Sequence, residues 1–373
     1  MSKVLLGDVA HEHKETCKGS KDGYPIVGLE HLIPEEITLT TWDEGRENTF
    51  TKMFRKGNVL FGRRRAYLKK AAVAPFDGIC SGDITVIEAD PDKIFPELLP
   101  FIIQNDDLFD FAVGKSAGSL SPRVKWEHLK NYEFELPDMD KQKELAELLW
   151  AIEDTKKSYQ ELIAATDELV KSQFMVQFGN HMREHLGNYI EQVRGVSYKP
   201  KDLGSELDDQ HITLLRANNV NGGKINFDEV QFVDKGKVSD VQVIRDGDIL
   251  MCASSGSLEH VGKAALCRLT GEYTFGAFCK IIRPTGGLRS EYIVSYMTGH
   301  EYRHIIMELA QGSNINNLRN EHINDLMIPV PSDDEQKEFI SFLEQSDKSK
   351  FEMEQALSEL TATYKRIITE NLG

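Results

Sequence analysis

An internal duplication constrains the fold of this chain more than any other feature of its sequence. Three segments of the first half recur in the same order in the second half: 54–61 as 244–251, 119–129 as 313–323 and 136–144 as 330–338. His128 and His322 are 194 positions apart, and the two helix starts that follow keep the same spacing. Ordered matches at spacings of 190 to 194 positions indicate a tandem duplication of a structural unit.

Each copy of the duplicated unit changes in character at its end. Residues 1–137 and 181–331 are rich in Gly, Pro and short β-type runs, which predicts two compact α+β globules with many loops. Each globule is followed by a long helical pattern, over 138–180 and 332–373. The 373 residues therefore divide into four segments, namely globule, helix, globule and helix.

The two helical segments have clear start and stop signals. Asp138 offers an N-cap oxygen, and the Ser-Asp-Asp-Glu sequence at 332–335 has the form of a capping box. Apolar residues then follow at spacings near three and four without an internal proline, a pattern typical of a coiled coil. Gly179 and Gly373 come directly after the last apolar positions. Ordinary core packing of a single amphipathic helix would give the same spacing.

The duplication favours pairing of the two helices with each other. We therefore expect an α+β fold in which two tandem globular domains are joined by two long coiled-coil spacer helices. If the pair is antiparallel, the globules lie at opposite ends of a pseudo-twofold dumbbell. A helix of about 36 residues is roughly 54 Å long, which exceeds the roughly 34–36 Å of one turn of B-DNA.

The charge distribution separates acidic helices from a basic stretch. The formal net charge is −16, but 134–178 and 332–373 each contain ten acidic and five basic residues and together account for −10 of it. Between Lys52 and Lys70 there are eight basic residues and no acidic residue. A local basic stretch attracts phosphate even when the whole chain is acidic. Nucleic acid binding is therefore not excluded.

Several classes of site are not expected. The chain has no Pro-Pro pair, so the motif of amino-methyltransferases is missing, and Phe109 occupies the position where a P-loop would need its first glycine. His11 and His13 alternate on a polar segment without a cysteine nearby, so no metal site is expected. Five scattered cysteines and no apolar run of about 20 residues predict free thiols in a reducing cytoplasm and no membrane segment. We expect no catalytic site and no bound cofactor.

Two pairs of loop-like segments contain side chains suited to DNA. The strongest candidate is the basic run 62–70, where Arg clamps phosphate or reads guanine and Tyr offers a stacking edge. The second copy has a hydroxyl-rich loop in the corresponding place, and the other pair combines Ser, Asn and Arg. A solvated edge strand or plain turns would also explain these segments. The candidate DNA-binding residues are Arg63, Arg64, Arg65, Tyr67, Lys69, Lys70, Ser119, Arg123, Ser254, Ser255, Ser257, Asn314, Asn316, Asn317 and Arg319.

The segments 57–70, 81–83 and 116–123 resemble the target-recognition domains of Type I restriction-modification specificity subunits. The segments 136–144 and 329–338 are similar to the entry into the helical spacers of that family, and the two-unit layout covers essentially the whole chain. The resemblance implies two target-recognition domains separated by antiparallel spacer helices. Each domain would read one half of a bipartite, asymmetric site in double-stranded DNA.

The same resemblance implies partners rather than catalysis. The spacer helices would set the gap between half-sites and bind modification subunits, which bring S-adenosylmethionine, while a restriction subunit joins for cleavage. An alternative function is a coiled-coil interaction scaffold or adaptor without DNA contact, and another is an enzyme with an unrecognised site. Co-purification with a methyltransferase would favour the first interpretation.

Overall fold

The structure is a computed structural model that describes residues 2–45, 48–118, 120–312 and 317–373. The chain divides into two compact units. The first unit consists of Met1–Glu161 with Met353–Gly373, and the second of Leu162–Glu352. Each unit therefore takes one part of each long helix. The four segments expected from the sequence follow the order of elements along the chain, and as a division into domains they stay a prediction.

The first unit mixes strands and short helices. Its strands are Ser2–Leu5 (β1), Ala10–Glu12 (β2), Ile26–Val27 (β3), Lys52–Phe54 (β4), Val59–Gly62 (β5), Ala71–Val73 (β6), Gly78–Cys80 (β7), Ile84–Ala89 (β8) and Glu133–Leu136 (β9). Its short helices are Leu6–Val9 (α1), Leu99–Ile103 (α2), Asp106–Gly114 (α3) and Trp126–Leu129 (α4). The long helix Met139–Phe178 (α5) begins in this unit.

The second unit repeats the same order with extra strands. Its strands are Arg183–His185 (β10), Ile190–Arg194 (β11), Leu203–Gly204 (β12), His211–Leu215 (β13), Val220–Asn221 (β14), Lys224–Ile225 (β15), Gln231–Asp234 (β16), Ile249–Cys252 (β17), Ala264–Leu266 (β18), Tyr273–Phe275 (β19), Cys279–Pro284 (β20) and Met327–Pro329 (β21). Its helices are Ser290–Thr298 (α6), His300–Gly312 (α7) and Asn320–Asn324 (α8), and the long helix Asp333–Leu372 (α9) begins in this unit.

Two sheets of each unit have equivalent strand orders, which confirms the duplication. A four-stranded sheet has the order β2-β8-β5-β6 in the first unit and β11-β20-β17-β18 in the second. The first strand of each unit pairs antiparallel with its last, as β1 with β9 and β10 with β21. The central strands β5 and β17 are fully buried. Their apolar sequences, Val-Leu-Phe-Gly and Ile-Leu-Met-Cys, are typical of strands covered on both faces.

The predicted helix starts are confirmed at the level of single hydrogen bonds. Asp138 Oδ1 accepts a hydrogen bond from the backbone N–H of Lys141 at 3.1 Å. Glu335 accepts the backbone N–H of Ser332 at 2.8 Å and its hydroxyl at 2.7 Å, which completes the capping box. These bonds lower the pKa of the Glu335 carboxyl to about 2. Each helix thus begins where its sequence provides side-chain caps for otherwise unpaired N–H groups.

A buried glutamine fixes each long helix to its own globule. The side-chain oxygen of Gln142 accepts the Phe95 N–H at 2.8 Å, and its amide donates to the Pro137 carbonyl at 2.8 Å. In the second unit Gln336 accepts the Arg289 N–H at 2.9 Å and donates to carbonyls before the helix. The glutamine shared by the duplicated Lys-Gln-Lys and Glu-Gln-Lys sequences is therefore, in each unit, a buried side chain that bridges helix and loop.

Within the first unit, the beginning of α5 packs against the end of α9. Leu145 and Leu149 share one apolar cluster with Ile368 and Leu372, while the Lys156 ammonium lies 4.7 Å from the ring centroid of Tyr364. The residue numbers rise along α5 as they fall along α9. The two helices are therefore antiparallel in this unit.

Within the second unit, the end of α5 packs in the same way against the beginning of α9. The ring centroids of Phe174 and Phe178 lie 5.6 and 5.3 Å from that of Phe339. Further along, Lys350 forms an ion pair with Asp167. The direction of the helices is again antiparallel.

The inward face of α5 differs in part from the expected apolar seam. Ile163 and Val170 are half-buried, whereas their neighbours Leu162 and Leu169 are about half exposed, at 53% each. The same spacing fits Phe351 on the inward face of α9, but its ring is 56% exposed. The 3.6-residue period places adjacent apolar residues on different faces, and the spacing alone does not say which of two neighbours points inward. In the described part of the chain, no helix is long and apolar enough to cross a membrane.

Candidate nucleic-acid interface

Three separate segments of the first unit meet at one end of strand β5. The N–H of Arg63, just after the strand, donates to the Asp83 carbonyl at 3.0 Å, and the Arg63 carbonyl accepts the Val124 N–H at 3.0 Å. An isolated β-bridge joins Arg64 to Arg123. We call residues 63–68, 81–83 and 121–124 the first loop cluster. It brings together two of the segments that the sequence predicted separately as DNA-binding.

The basic run is not an extended edge strand, which was one explanation left open by the sequence. Strand β5 ends at Gly62. Arg65 and Lys69 adopt left-handed backbone conformations, with φ of 55° and 50°, and residues 66–68 form one tight helical turn between them. The Arg65 N–H donates to the Pro122 carbonyl at 2.8 Å, which ties this turn to the neighbouring segment. The three arginines are therefore distributed around a turn instead of along two faces of a strand.

An acidic residue lies at the centre of the first loop cluster. The Asp83 carboxylate accepts hydrogen bonds from Arg123 Nε at 2.7 Å and Nη2 at 3.2 Å. It also lies 3.6 Å from Arg64 Nη1, while Arg64 Nε donates to the Ser121 hydroxyl. Hydrogen bonding to Arg123 is the main cause that lowers the pKa of Asp83, and the same contact raises the pKa of Arg123. Asp83 is ionised at neutral pH and holds the two guanidinium groups next to each other.

The other residues of the basic run differ in whether their side chains are already engaged within the unit or are exposed to a partner. Lys69 is paired with Asp106, which is the main cause that raises the pKa of Lys69, and Lys70 donates to the Leu29 carbonyl at 2.7 Å. Both lysines are therefore engaged within the unit. Arg65 and Tyr67 are exposed, the tyrosine to 55%. Arg63 is half-buried, and its Nε has no hydrogen-bond partner among the described residues.

The second unit forms an equivalent cluster from the equivalent segments. The Ala253 N–H donates to the Phe278 carbonyl at 2.9 Å, and the Ala253 carbonyl accepts the Leu318 N–H at 2.8 Å. An isolated bridge joins Ser254 to Asn317, as Arg64 is joined to Arg123 in the first unit. We call residues 253–257, 276–278 and 317–319 the second loop cluster. Positions 64, 83 and 123 thus correspond to 254, 278 and 317.

The two clusters have the same backbone pattern but different side chains. Where the first has Arg64, Asp83 and Arg123, the second has Ser254, Phe278 and Asn317. Phe278 is 69% exposed, so its ring is accessible to a partner. Sequence reasoning did not select Phe278 or assign a role to Asp83. Only the fold brings each of these residues to its cluster.

The other predicted residues of the second copy have local partners. Ser255 Oγ accepts the Ser257 N–H at 3.2 Å, and the Arg319 guanidinium lies 3.1 Å from Nε2 of His322. Lys280, on the strand next to this cluster, donates to the Leu318 carbonyl at 2.9 Å and to Asn320 at 2.7 Å. Burial lowers the pKa of Lys280. Ser119, Asn314 and Asn316, predicted as DNA contacts, lie outside the described residues.

The clusters offer side chains that are suited to nucleic-acid recognition. Guanidinium, amide and hydroxyl side chains donate to phosphates and base edges, and an exposed ring makes apolar contacts. The Nδ1 atom of His13 lies 2.7 Å from the Glu88 carboxylate, and its Nε2 atom lies 3.2 Å from that of Glu15. Within the described ranges, no group of three or more His, Cys, Asp or Glu side chains is arranged to hold a metal ion.

Comparison with known proteins agrees with this arrangement. Residues 3–165 and 205–361 match the family model described as the Type I restriction modification DNA specificity domain. The chain belongs to this family. The two matched regions correspond to the two copies of the duplication, so the resemblance drawn from the sequence is confirmed.

Individual relatives match one part of the chain. The Type I restriction enzyme StySPI specificity subunit of Salmonella potsdam is 38% identical over 167 residues. The EcoKI specificity subunit of Escherichia coli strain K12 is 37% identical over the same length. In both cases the match covers 44% of this chain and 36% of the relative. The aligned part of this chain thus spans about a third of the length of these relatives.

Solved structures match over nearly the full length and show the fold alone. The S subunit of a Type I restriction-modification system from M. genitalium is 12% identical, with a TM-score of 0.58 over 100% of this chain and 96% of that one. A chain from a study of complex assembly and conformational transition in the type I R-M system is 18% identical. Its TM-score is 0.62, and the match covers 99% of this chain and 97% of that one.

Proposed function

We propose that this chain is the non-catalytic DNA-recognition subunit of a Type I restriction-modification complex. Each globular unit reads one half of a bipartite, asymmetric site in double-stranded DNA. The observation that carries this proposal is the pair of equivalent loop clusters with different side chains at positions 64/254, 83/278 and 123/317. Two copies of one scaffold with different recognition groups are what an asymmetric two-part site requires.

The first loop cluster suits DNA in spite of the acidic chain. Arg63, Arg64, Arg65 and Arg123 come together on one cluster, and only Asp83 opposes their charge there. Arginine binds phosphate and reads the O6 and N7 atoms of guanine with two hydrogen bonds. The acidic residues are concentrated in the helical segments, away from this part of the sequence. The cluster therefore has the charge needed for the phosphate backbone and the donors needed for base edges.

The long helices serve as an antiparallel coiled-coil spacer and as a binding surface for modification subunits. Each has 40 residues, or about 60 Å at 1.5 Å per residue. In the second unit Leu162, Leu169 and Val176 are exposed and seven residues apart, so they lie on one face of α5. An exposed apolar heptad row is suited to pack against a helix of a partner protein. The partner would supply S-adenosylmethionine, and a restriction subunit would join for cleavage.

Methylation assays test the assignment of catalysis to the partner. The purified chain with labelled S-adenosylmethionine and DNA is expected to incorporate no label, because its sequence has no Pro-Pro pair and so lacks the motif of amino-methyltransferases. Addition of the methyltransferase subunits is expected to give methylation at a two-part sequence. Label transfer by the chain alone would contradict the proposal. A complex that methylates without any sequence preference would favour a scaffold role without DNA reading.

The arginines at the turn that follows β5, residues 63–65 and called the basic turn below, are expected to contribute phosphate contacts. We expect simultaneous change of Arg63, Arg64 and Arg65 to Ala to weaken DNA binding by the assembled complex. It should also flatten the salt dependence, since each lost phosphate contact lowers the log–log slope by about 0.9. Binding titrations at several salt concentrations give this slope.

Three lysines provide a matched control for the arginine variant. Lys3, Lys18 and Lys93 are exposed residues of the same unit outside the first loop cluster, and their change to Ala removes the same total charge. For this control variant, the log–log salt dependence of DNA binding should have nearly the same slope as for the unaltered complex. Equal slopes for the arginine variant and the unaltered complex would show that the basic turn faces solvent in the complex.

A further inference from the structure

The acid inside the first loop cluster needs a role of its own. Asp83 removes one positive charge where DNA phosphates are expected, so it does not raise affinity through net charge. Its carboxylate nevertheless bonds Arg123 through two nitrogens, at 2.7 and 3.2 Å, and lies 3.6 Å from Arg64. Its backbone carbonyl accepts the N–H of Arg63. A single residue thus contacts three arginines that come from two distant parts of the sequence.

The geometry leaves donors free on the arginines that Asp83 holds. Arg123 uses Nε and Nη2 toward the carboxylate, and Arg64 uses Nε toward the Ser121 hydroxyl. A guanidinium group has five N–H donors, so among the described residues each arginine keeps unused donors on its Nη atoms. Fixing one edge of a long, flexible side chain reduces the conformational entropy that must be lost when the other edge binds.

We propose that Asp83 is a positioning residue that orients Arg64 and Arg123 to read a guanine in the half-site of the first unit. The inference rests on the proposed function and adds the base class and the residues that select it. The second cluster has Ser254, Phe278 and Asn317 in these places, without an acid or an arginine. Guanine reading by an acid-held arginine pair is therefore assigned to the first unit alone.

The change Asp83→Asn separates positioning from charge, because the two effects have opposite signs. The variant complex gains one positive charge, so its affinity for unrelated DNA should rise several-fold at low salt. Its arginines lose the carboxylate that orients them, so its affinity for the cognate site should fall about 10- to 100-fold, the range of a lost bidentate base contact. A merely structural role of Asp83 would lower both affinities together.

The experiment uses the complex of the full chain with its methyltransferase subunits. Binding is measured on the cognate site, on unrelated DNA, and on cognate sites in which single guanines are replaced by 7-deazaguanine, which lacks the N7 acceptor. The affinity of the unaltered complex should fall about 10-fold or more when one guanine of the first half-site is replaced. The Asp83→Asn complex should show little further loss at that guanine, because the contact is already missing.

Two variants control for charge and folding. Asp77→Asn makes the same charge change at another arginine-paired acid of this unit, where Asp77 bonds Arg55 at 2.8 Å outside the cluster. It should leave cognate discrimination unchanged. Asp83→Glu keeps the charge and should restore part of the discrimination, and thermal melting shows whether each variant is folded.

Three outcomes are distinguishable. Full sensitivity to 7-deazaguanine in the Asp83→Asn complex would overturn the inference. A parallel fall of cognate and unrelated affinity in that variant, with an unchanged Asp77→Asn complex, would also overturn it. If the unaltered complex has no preference for any sequence, the proposed function itself fails, whatever Asp83 does.

Discussion

Changing Phe339 to Ala is expected to lower the free energy of unfolding of the second unit by about 3–5 kcal/mol, the usual cost of removing a buried phenyl ring. Phe339 is 1% exposed, and its ring centroid lies within 5.3–6.5 Å of those of Phe174, Phe178 and Tyr292. Removing the ring leaves a cavity among three other rings, two on α5 and one on α6. Such a site collapses poorly, so the transfer and cavity costs add.

Phe351 provides a matched control on the same helix. Its ring is 56% exposed, so the change Phe351→Ala should alter the free energy of unfolding by less than about 0.5 kcal/mol in the isolated chain. Hydrogen exchange at the amides of strand β17, followed over a denaturant series, measures the stability of this unit. If both variants lost the same free energy of unfolding, the aromatic cluster would not be what holds the two helix segments to this globule.

Those parts of the fold that depend on local signals were predictable from the sequence. Asp138 and the 332–335 capping box act on N–H groups three residues away, so their signals are complete within one turn. The duplication was readable because the helix starts with Gln142 and Gln336 kept their spacing. Family membership followed from the same features.

The parts that depend on distant contacts were not predictable in the same way. The turn at Arg65 rests on a hydrogen bond to Pro122, and the pairing of Lys69 with Asp106 crosses 37 residues. Nothing in the basic run itself specifies these partners. The acidic residue that organises the arginines is likewise far from them in sequence, and Phe278 reads as an ordinary core residue until its exposure is known.

The helix face shows a finer limit of the periodicity. Leu162 and Ile163 are adjacent and both apolar, and the spacing fits either one on the inward face. In the second unit Ile163 is half-buried while Leu162 is exposed. Tertiary packing decides between them, and the exposed residue becomes available to a partner.

Lengthening both long helices by four residues is expected to widen the unspecified gap of the recognised DNA site by one or two base pairs. Four residues add about 6 Å and close to one full turn, so the faces of the helices are nearly preserved. Two base pairs of B-DNA add roughly 7 Å, at about 3.4 Å each. Gln142 and Gln336 bind each helix start to its own globule, so added length is not absorbed at the helix starts.

The insertions need to be matched because both helices have one part in each unit. In the first unit 145–156 packs with 364–372, and in the second Asp167 pairs with Lys350. Insertion after Ala165 together with insertion after Glu352 leaves both sets of contacts in register. An insertion after Ala165 alone makes the two helices unequal in length, so one of the two sets of helix contacts must shift out of register. This variant serves as the control, and we expect it to be less stable and less active than the matched variant.

Sequencing of methylated sites from cells that express the matched variant with its methyltransferase decides the outcome. We expect both half-site sequences to stay the same, because neither loop cluster changes, while the gap between them grows. An active variant with an unaltered gap would refute the role of the helices as a ruler. New half-site bases would mean that the two globules do not read DNA independently of the helix length.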